Sequence, residues 1–358
     1  FVAKADTDLF NDASKVALVR DGERTVITMA SDYRGEPSEF AMVIPVVDVP
    51  EREQINVANP GLIEHLDQYT APRLVEYHDE DPCNRIQYRE TLAMAAPQAG
   101  AAMDAMAEEA EELGVTIEAE YEVGEYDILI LSAEESDGLI TWLNQNGYRI
   151  PDGAEDVVGS YLKQGMKFFV AKVNLERHDG AGFLRPIQVA YEDEDFMLPI
   201  RLGTVNSPGE QDLVVYAVTD SSSGPVGIAN YDEVTWSAET FDNDCLFDEE
   251  AQGSLDAYMD GKMDQAVEAH DGAAWMMTYT WGPAKCDPCP PGGPLGNDVL
   301  GQLGFEGAGE DAQFTRLWMR YTPEAATQDL VLYNTGTFAQ SQLRYIVRTD
   351  GLEQYFPV

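Results

Sequence analysis

Hydrophobic and polar positions alternate most cleanly over Val115–Val123. Val115, Ile117, Ala119, Tyr121 and Val123 take one parity, and Thr116, Glu118, Glu120 and Glu122 take the other. That is the pattern of a half-exposed antiparallel strand, because successive side chains leave opposite faces of a sheet. Residues 126–131 follow and are apolar at most positions, which predicts a more buried strand. The rest of the chain is organised around residues 126–202. Two short helices are predicted there, over 133–146 and 153–164. Ser132 and Glu135 have the spacing of a capping box. Leu139, Ile140, Trp142 and Leu143 mark the first helix, with Gly147 as its stop. Val157, Val158, Tyr161 and Leu162 mark the second, ended by Gly165. Three strands are then expected, over 167–175, 183–191 and 196–202.

The flanks carry the same two periods. Residues 16–19 and 24–31 read as a hairpin around Asp21-Gly22. Residues 40–47 are almost wholly apolar, as in a strand covered on both faces, although Pro45 has no N–H for a ladder. Residues 61–69 form a short helix carrying Leu62, Ile63 and Leu66, and 101–113 form an amphipathic one. A strand is expected over 212–218, with 226–236 continuing the sheet. Ser254 caps a helix expected to run to about residue 269, with Leu255, Tyr258, Met259, Met263 and Val267 on its buried side. Residues 273–280 are extended, 295–303 form a short helix, and 314–321, 329–333 and 343–349 are the last strands. The class is α+β: antiparallel or mixed β-sheets with several short packed helices. No stretch of linker composition cuts the chain. Residues 1–358 read as a single unit, either one body or two intimately packed lobes. The softest division separates 1–220 from 253–358, joined by 221–252.

Charge changes the picture. The 358 residues include 65 acidic and 22 basic side chains, a net of -43, and only seven of the basic residues are Lys. Such a surface repels nucleic acid and anionic membrane. The acid is spread along the chain, as on a solvated surface whose self-repulsion salt would screen. No run of 18 apolar residues suits direct membrane insertion. A start at Phe1 rather than Met is expected of a processed chain. An even cysteine count, with Cys83, Cys245, Cys286 and Cys289, fits an oxidising compartment.

The cysteines are the most specific chemical feature. Cys286-Asp287-Pro288-Cys289 has the two-residue gap of redox and metal motifs. A reactive thiol is usually placed at a helix N-terminus, and Pro290, Pro291, Gly292 and Gly293 argue against a helix there. A four-thiolate zinc site would need Cys83 and Cys245 as well. The simplest reading is a structural disulfide between Cys286 and Cys289, or two bonds that also use Cys83 and Cys245. The four histidines show no paired spacing, and no nucleophile elbow, phosphate loop or dinucleotide fingerprint appears. No cofactor is expected. Calcium is the one metal the acidic clusters would suit, through Asp79 and Asp81 before Cys83 and Asp242 and Asp244 before Cys245. Neither cluster has EF-hand spacing, and solvated acidic loops explain both. Asp32, Arg34, Arg73, Glu76 and Arg185 lie beside apolar runs and form the candidate polar site. Ordinary ion pairing accounts for the same arginines.

Several local segments carry a family resemblance. They include Ser31-Asp32-Tyr33-Arg34-Gly35, Ala71-Pro72-Arg73-Leu74-Val75-Glu76-Tyr77 and Glu134-Glu135-Ser136-Asp137-Gly138-Leu139. They continue with Asn146-Gly147-Tyr148-Arg149-Ile150-Pro151, Leu184-Arg185-Pro186 and Cys286-Asp287-Pro288-Cys289. In these the chain resembles the DUF2330 family of bacterial exported proteins of unknown function. The resemblance implies a signal peptide ahead of the mature chain, and a secreted, periplasmic or cell-surface location. It supplies no established catalytic residues. The expected function is that of an acidic envelope or extracellular protein with a noncatalytic binding or structural role. Its partner would be a second copy of itself or another envelope protein. A secreted hydrolase is the alternative, and a thiol redox protein using Cys286 and Cys289 is a third.

Overall fold

The computed structural model of the chain describes residues 2–3, 13–30, 40–75, 113–148, 150, 153–174, 176–177, 184–205, 207, 209–235, 251–283, 285–286, 289 and 293–346. The helix expected over 101–113, apart from Leu113, lies outside the described residues.

The first sheet has the order β1 (Val2–Ala3), β4 (Phe40–Val46), β9 (Lys167–Val173), β8 (Tyr126–Ala133), β7 (Val115–Val123), with every pair antiparallel. Its middle strands are near-continuous apolar runs because both faces are covered. Phe168 and Val170 of β9, with Leu129 and Leu131 of β8, face a layer made by α2 (Ser136–Gln145) and α3 (Ala154–Lys163). Trp142 and Tyr161 of those helices are fully buried there. Phe169, Ala171 and Val173, with Tyr126, Ile128 and Ile130, face the other way, toward Ile55, Ile187 and Val189 of a second sheet. In β4, Ala41 and Val43 join the helix side and Met42 and Val46 the sheet side, as a doubly covered strand requires.

The parity read along β7 breaks in the middle. Ile117 pairs with Leu131, but Ala119 pairs with Ile130, so the ladder slips by one residue at Glu118. This β-bulge moves the side chains beyond it to the opposite face. Val115 and Ile117 therefore pack on the helix side, while Ala119, Tyr121 and Val123 pack between the sheets.

The second sheet has eight strands. Their order is β17 (Ser341–Gln342), β14 (Ala273–Trp281), β15 (Ala312–Tyr321), β12 (Gln211–Asp220), β2 (Ala13–Asp21), β3 (Arg24–Met29), β10 (Ile187–Glu192), β5 (Ile55–Val57). The β2–β12 pair is parallel and the other pairs are antiparallel. The β2–β3 hairpin closes at Asp21 and Arg24, and Gly22 takes the left-handed conformation that its tight turn needs (φ +58°).

Both faces of this sheet are apolar. Val16, Leu18, Leu213, Val215 and Leu317 meet a three-stranded sheet ordered β11 (Met197–Leu198), β16 (Leu330–Asn334), β13 (Val226–Ile228). Ala17, Val19, Tyr216 and Phe314 meet α1 (Gly61–Thr70) and α6 (Asn297–Leu303). A longer helix, α5 (Ala251–Ala269), packs Met263, Ala266 and Val267 on Ala274 and Met276 of β14. A parallel pair, β6 (Arg73–Val75) and β18 (Arg344–Ile346), completes the strands described. The architecture is the expected α+β class with mixed sheets.

Three local expectations are corrected. Residues 196–202 do not form one strand: only Met197 and Leu198 pair, and a helical turn, α4 (Arg201–Thr204), follows. The backbone N–H groups of Ile200 and Arg201 donate to the Asp329 carboxylate, which draws the chain out of the ladder. Residues 226–236 do not continue the second sheet, since Val226–Ile228 belongs to the third. Glu233 makes only an isolated bridge to Trp275. The Ser132–Glu135 capping box is absent because β8 runs on to Ala133. Ser132 donates instead to the Glu118 carboxylate across the ladder, and Glu135 is the N-cap of α2 without a side-chain bond.

Trp142 is the largest side chain buried in the helix layer. Trp142→Ala removes most of that contact and leaves a cavity, so it is expected to lower unfolding free energy by ~3–5 kcal/mol. Urea unfolding followed by circular dichroism checks this.

Candidate functional site

Strand β15 carries Arg316, Trp318 and Arg320 at alternate positions, so all three leave one face of the second sheet. Two carboxylate clusters form around the arginines. The first centres on Asp67 of α1. Its Oδ1 accepts from Arg316 Nη2 at 2.8 Å and from the Tyr216 hydroxyl at 2.7 Å. Its Oδ2 accepts from Lys15 Nζ at 2.6 Å. One side chain thus ties α1 to three neighbouring strands. Burial alone would push the Asp67 carboxyl up, but the Arg316 guanidinium, then Lys15 and the Tyr216 hydroxyl, outweigh it and hold the group below its usual range.

The second cluster centres on Arg320, which lies between β12 and α5. Its Nε and Nη2 grip Asp212 as a fork, at 2.9 and 2.7 Å. Nη1 reaches Asp264 Oδ1 at 2.5 Å and Nη2 reaches Asp260 Oδ1 at 3.1 Å. Trp318 Nε1 donates to Asp212 Oδ1, and the guanidinium lies over the indole, 5.4 Å from the ring centre. Burial opposes the charge on Arg320, yet Asp212 and then Asp264 and Asp260 raise its pKa. Asp260 and Asp264 are more than half exposed, so those two contacts position α5 more than they stabilise it.

A third cluster joins the helix layer on the first sheet to the three-stranded sheet. The Asp329 side chain is 8% exposed and that of Arg201 17%. Arg201 donates through Nε and Nη2 to Asp329 Oδ2, at 3.1 and 3.0 Å. Oδ1 accepts from the Tyr161 hydroxyl at 2.6 Å and from the Ile200 amide at 2.9 Å. The guanidinium also stacks 4.8 Å from the Tyr161 ring centre. Burial, then the Asp329 charge, pushes the Tyr161 hydroxyl well above its usual pKa, so it serves as a donor throughout the physiological range.

The residues singled out in the sequence fall in separate places. Cys286 and Cys289 are disulfide-bonded, with Cα atoms 4.8 Å apart. Arg73 donates to the carbonyls of Gln68 and Tyr69, at the C-terminal end of α1 where the helix dipole favours a cation. Arg185 forks onto Glu125, with Nε to Oε2 at 2.8 Å and its own amide to Oε1 at 2.9 Å. The Glu125 side chain is 3% exposed, so this pair is structural. Arg73 and Arg185 therefore serve different partners. Asp32, Arg34, Glu76, Asp79, Asp81, Cys83, Asp242, Asp244 and Cys245 lie outside the described residues. Asp67, Arg316, Arg320, Asp212, Arg201 and Asp329 were not anticipated. The alternation of Arg316, Trp318 and Arg320 in an otherwise apolar strand was the available signal.

Chemically, the three clusters are clamps. Asp67, Asp212 and Asp329 each already accept from two or more donors. Among the described residues no group of three or more His, Cys, Asp or Glu is arranged to hold a metal, and no helix is long and apolar enough to cross a membrane. A crevice at the seam of the two large sheets is lined by Met29, Ile44, Val46, Val189, Met197 and Pro199. Its free volume of 20 Å³ has room for about one water molecule. On the outer side of β16, Val331 and Tyr333 are exposed, as is Phe338 nearby.

These features define an α+β scaffold of several packed sheets, tied together by ion pairs between its elements. The chain belongs to the DUF2330 family, described as uncharacterized protein conserved in bacteria, whose family model matches residues 1–333. No curated protein matches the sequence. Two crystal structures of a mutated baculovirus P35 after caspase cleavage are similar to it at 9% and 7% identity. They cover 92% and 91% of this chain and 99% of each of those chains, with TM-scores of 0.32 and 0.28, too low to define a common fold.

Two outcomes are expected. Asp329→Ala leaves the largely enclosed Arg201 guanidinium and the buried Tyr161 hydroxyl without their partner and should cost ~3–5 kcal/mol of unfolding free energy in urea. Asp67 has a folded pKa below its ordinary 3.8. Its ionised form therefore adds stability above the unfolded pKa, and this is lost as pH falls through the lower folded value. Asp67→Asn should flatten the loss of stability below about pH 4, measured as urea midpoints across the acid range.

Proposed function

We propose that this chain is an exported, acidic envelope or extracellular protein with a noncatalytic binding or structural role. The observation that carries the reading is the use of its scarce cations. Arg201, Arg316, Arg320 and Lys15 are bound into carboxylate clamps between elements, so the interior charge holds a scaffold together. An oxidising location is supported by the Cys286–Cys289 bond. The acidic surface favours a partner that is neutral or carries cations. We read the chain as one unit, a reading supported by ten-residue β12 and β15, which pair along their full length across the softer division.

Self-association is the specific form of this role that we favour, with another envelope protein as the other partner class. The contact surface would include Val331, Tyr333 and Phe338, which stand out as exposed large apolar side chains on a strongly acidic protein. Association would strengthen with salt, because two copies of net charge -43 repel each other until that charge is screened.

Light scattering and negative-stain imaging of the purified protein, at low and high salt and with and without calcium, test the reading. Discrete oligomers or ordered assemblies are expected at high salt, and Tyr333→Ser should reduce them. A monomer in every condition would remove self-association. Turnover in a hydrolase screen, abolished by one point substitution, would overturn the noncatalytic reading.

A further inference from the structure

The segment that carries the disulfide stands on the C-terminal end of α1. Tyr69, in the last turn of α1, directs its hydroxyl at the Pro283 carbonyl, 2.9 Å away, and at the Lys285 carbonyl. Tyr279 of β14 brings a second hydroxyl to Lys285, at 3.3 Å. The two rings are buried and meet edge to face with centroids 5.7 Å apart. One hydroxyl has one proton to give, so Tyr69 needs the turn held in place to keep a buried donor satisfied. Cys286 comes directly after Lys285 and packs, half-buried, against the apolar layer under α1. Cys289 is exposed.

A bond between residues three apart in sequence constrains little of the unfolded chain, so its effect is local. The local structure it borders is the Tyr69–Lys285–Tyr279 contact. We propose that Cys286–Cys289 is a thiol–disulfide exchange site for a small dithiol, and that opening it loosens the attachment of α1 at Tyr69. This inference stands apart from the assembly reading above.

Access decides the order of events. A thiolate of the dithiol attacks the exposed Cys289 sulfur. A bond forms between the two sulfurs, the Cys286–Cys289 bond breaks, and its electron pair leaves on Cys286, which takes a proton from water. The second thiolate of the dithiol then attacks its own partner sulfur in the mixed disulfide. Cys289 leaves as thiolate and is protonated. The protein pair is reduced by two electrons and the dithiol is oxidised to its disulfide.

The test uses the full native chain, treated with dithiothreitol without denaturant, trapped with iodoacetamide and peptide-mapped so that Cys83 and Cys245 are read separately. Cys286 and Cys289 should both be alkylated. With glutathione in place of the dithiol, the mixed adduct should collect on Cys289. Amide exchange over residues 66–70 should rise roughly tenfold while β12 stays protected. A Cys286→Ser, Cys289→Ser double variant should show the same faster exchange without reductant. The proposal is overturned if the pair stays oxidised until the protein is denatured. It is equally overturned if glutathione collects on Cys286, or if the opened bond leaves exchange in α1 unchanged.

Discussion

The Asp329 carboxylate is the contact on which the arrangement of layers depends. It takes the Tyr161 hydroxyl from the helix layer over the first sheet, the Arg201 guanidinium and two amides from the chain between the sheets. It sits beside β16, whose Leu330 and Leu332 fill the core over the second sheet. Two separately packed layers thus share one buried charge. Such a pair adds little net stability compared with apolar packing, but removing one member strands the other. Its contribution is to fix how the layers meet, because a two-oxygen acceptor accepts its donors only in one geometry.

Much of the fold was legible along the chain, because apolar runs and helical spacing report burial directly. The β2–β3 hairpin, the doubly covered β4, and α1, α2 and α3 lie where their patterns place them, whereas α5 begins at Ala251, so Ser254 lies inside the helix it was expected to start. The failures share a cause. Parity along β7 assumes one residue per rung, and nothing in an alternating sequence reveals the extra residue at Glu118. The strand read over 196–202 ends early because of a carboxylate more than a hundred residues away. The candidate site was harder still. With 65 acidic residues, local sequence does not distinguish Asp67 or Asp329 from solvated neighbours, since what marks them is the cations that the fold brings to them. The cysteine pair could be read because its chemistry lies within four consecutive residues.

The charge distribution follows a simple division. Cations are few and several are drawn inward, where low dielectric strengthens each pair. Acid is left to cover the outside. β7 illustrates the outer half of this arrangement, with Thr116, Glu118 and Glu120 exposed along the rim of the first sheet. Charge along an edge strand discourages another strand from pairing there, so the rim is protected while the uncharged outer side of β16 remains available.

The parallel pairing of β2 with β12 brings together segments near residues 13 and 212. A growing or threading chain therefore cannot close its central sheet until more than half its length has emerged, since β2 has no partner on that side before then. Long-range closure of this kind is slow. For a chain made or threaded from its N-terminus, β14, β15 and β17 are the last strands to reach this sheet, so one side of it stays open until the final third of the chain has emerged.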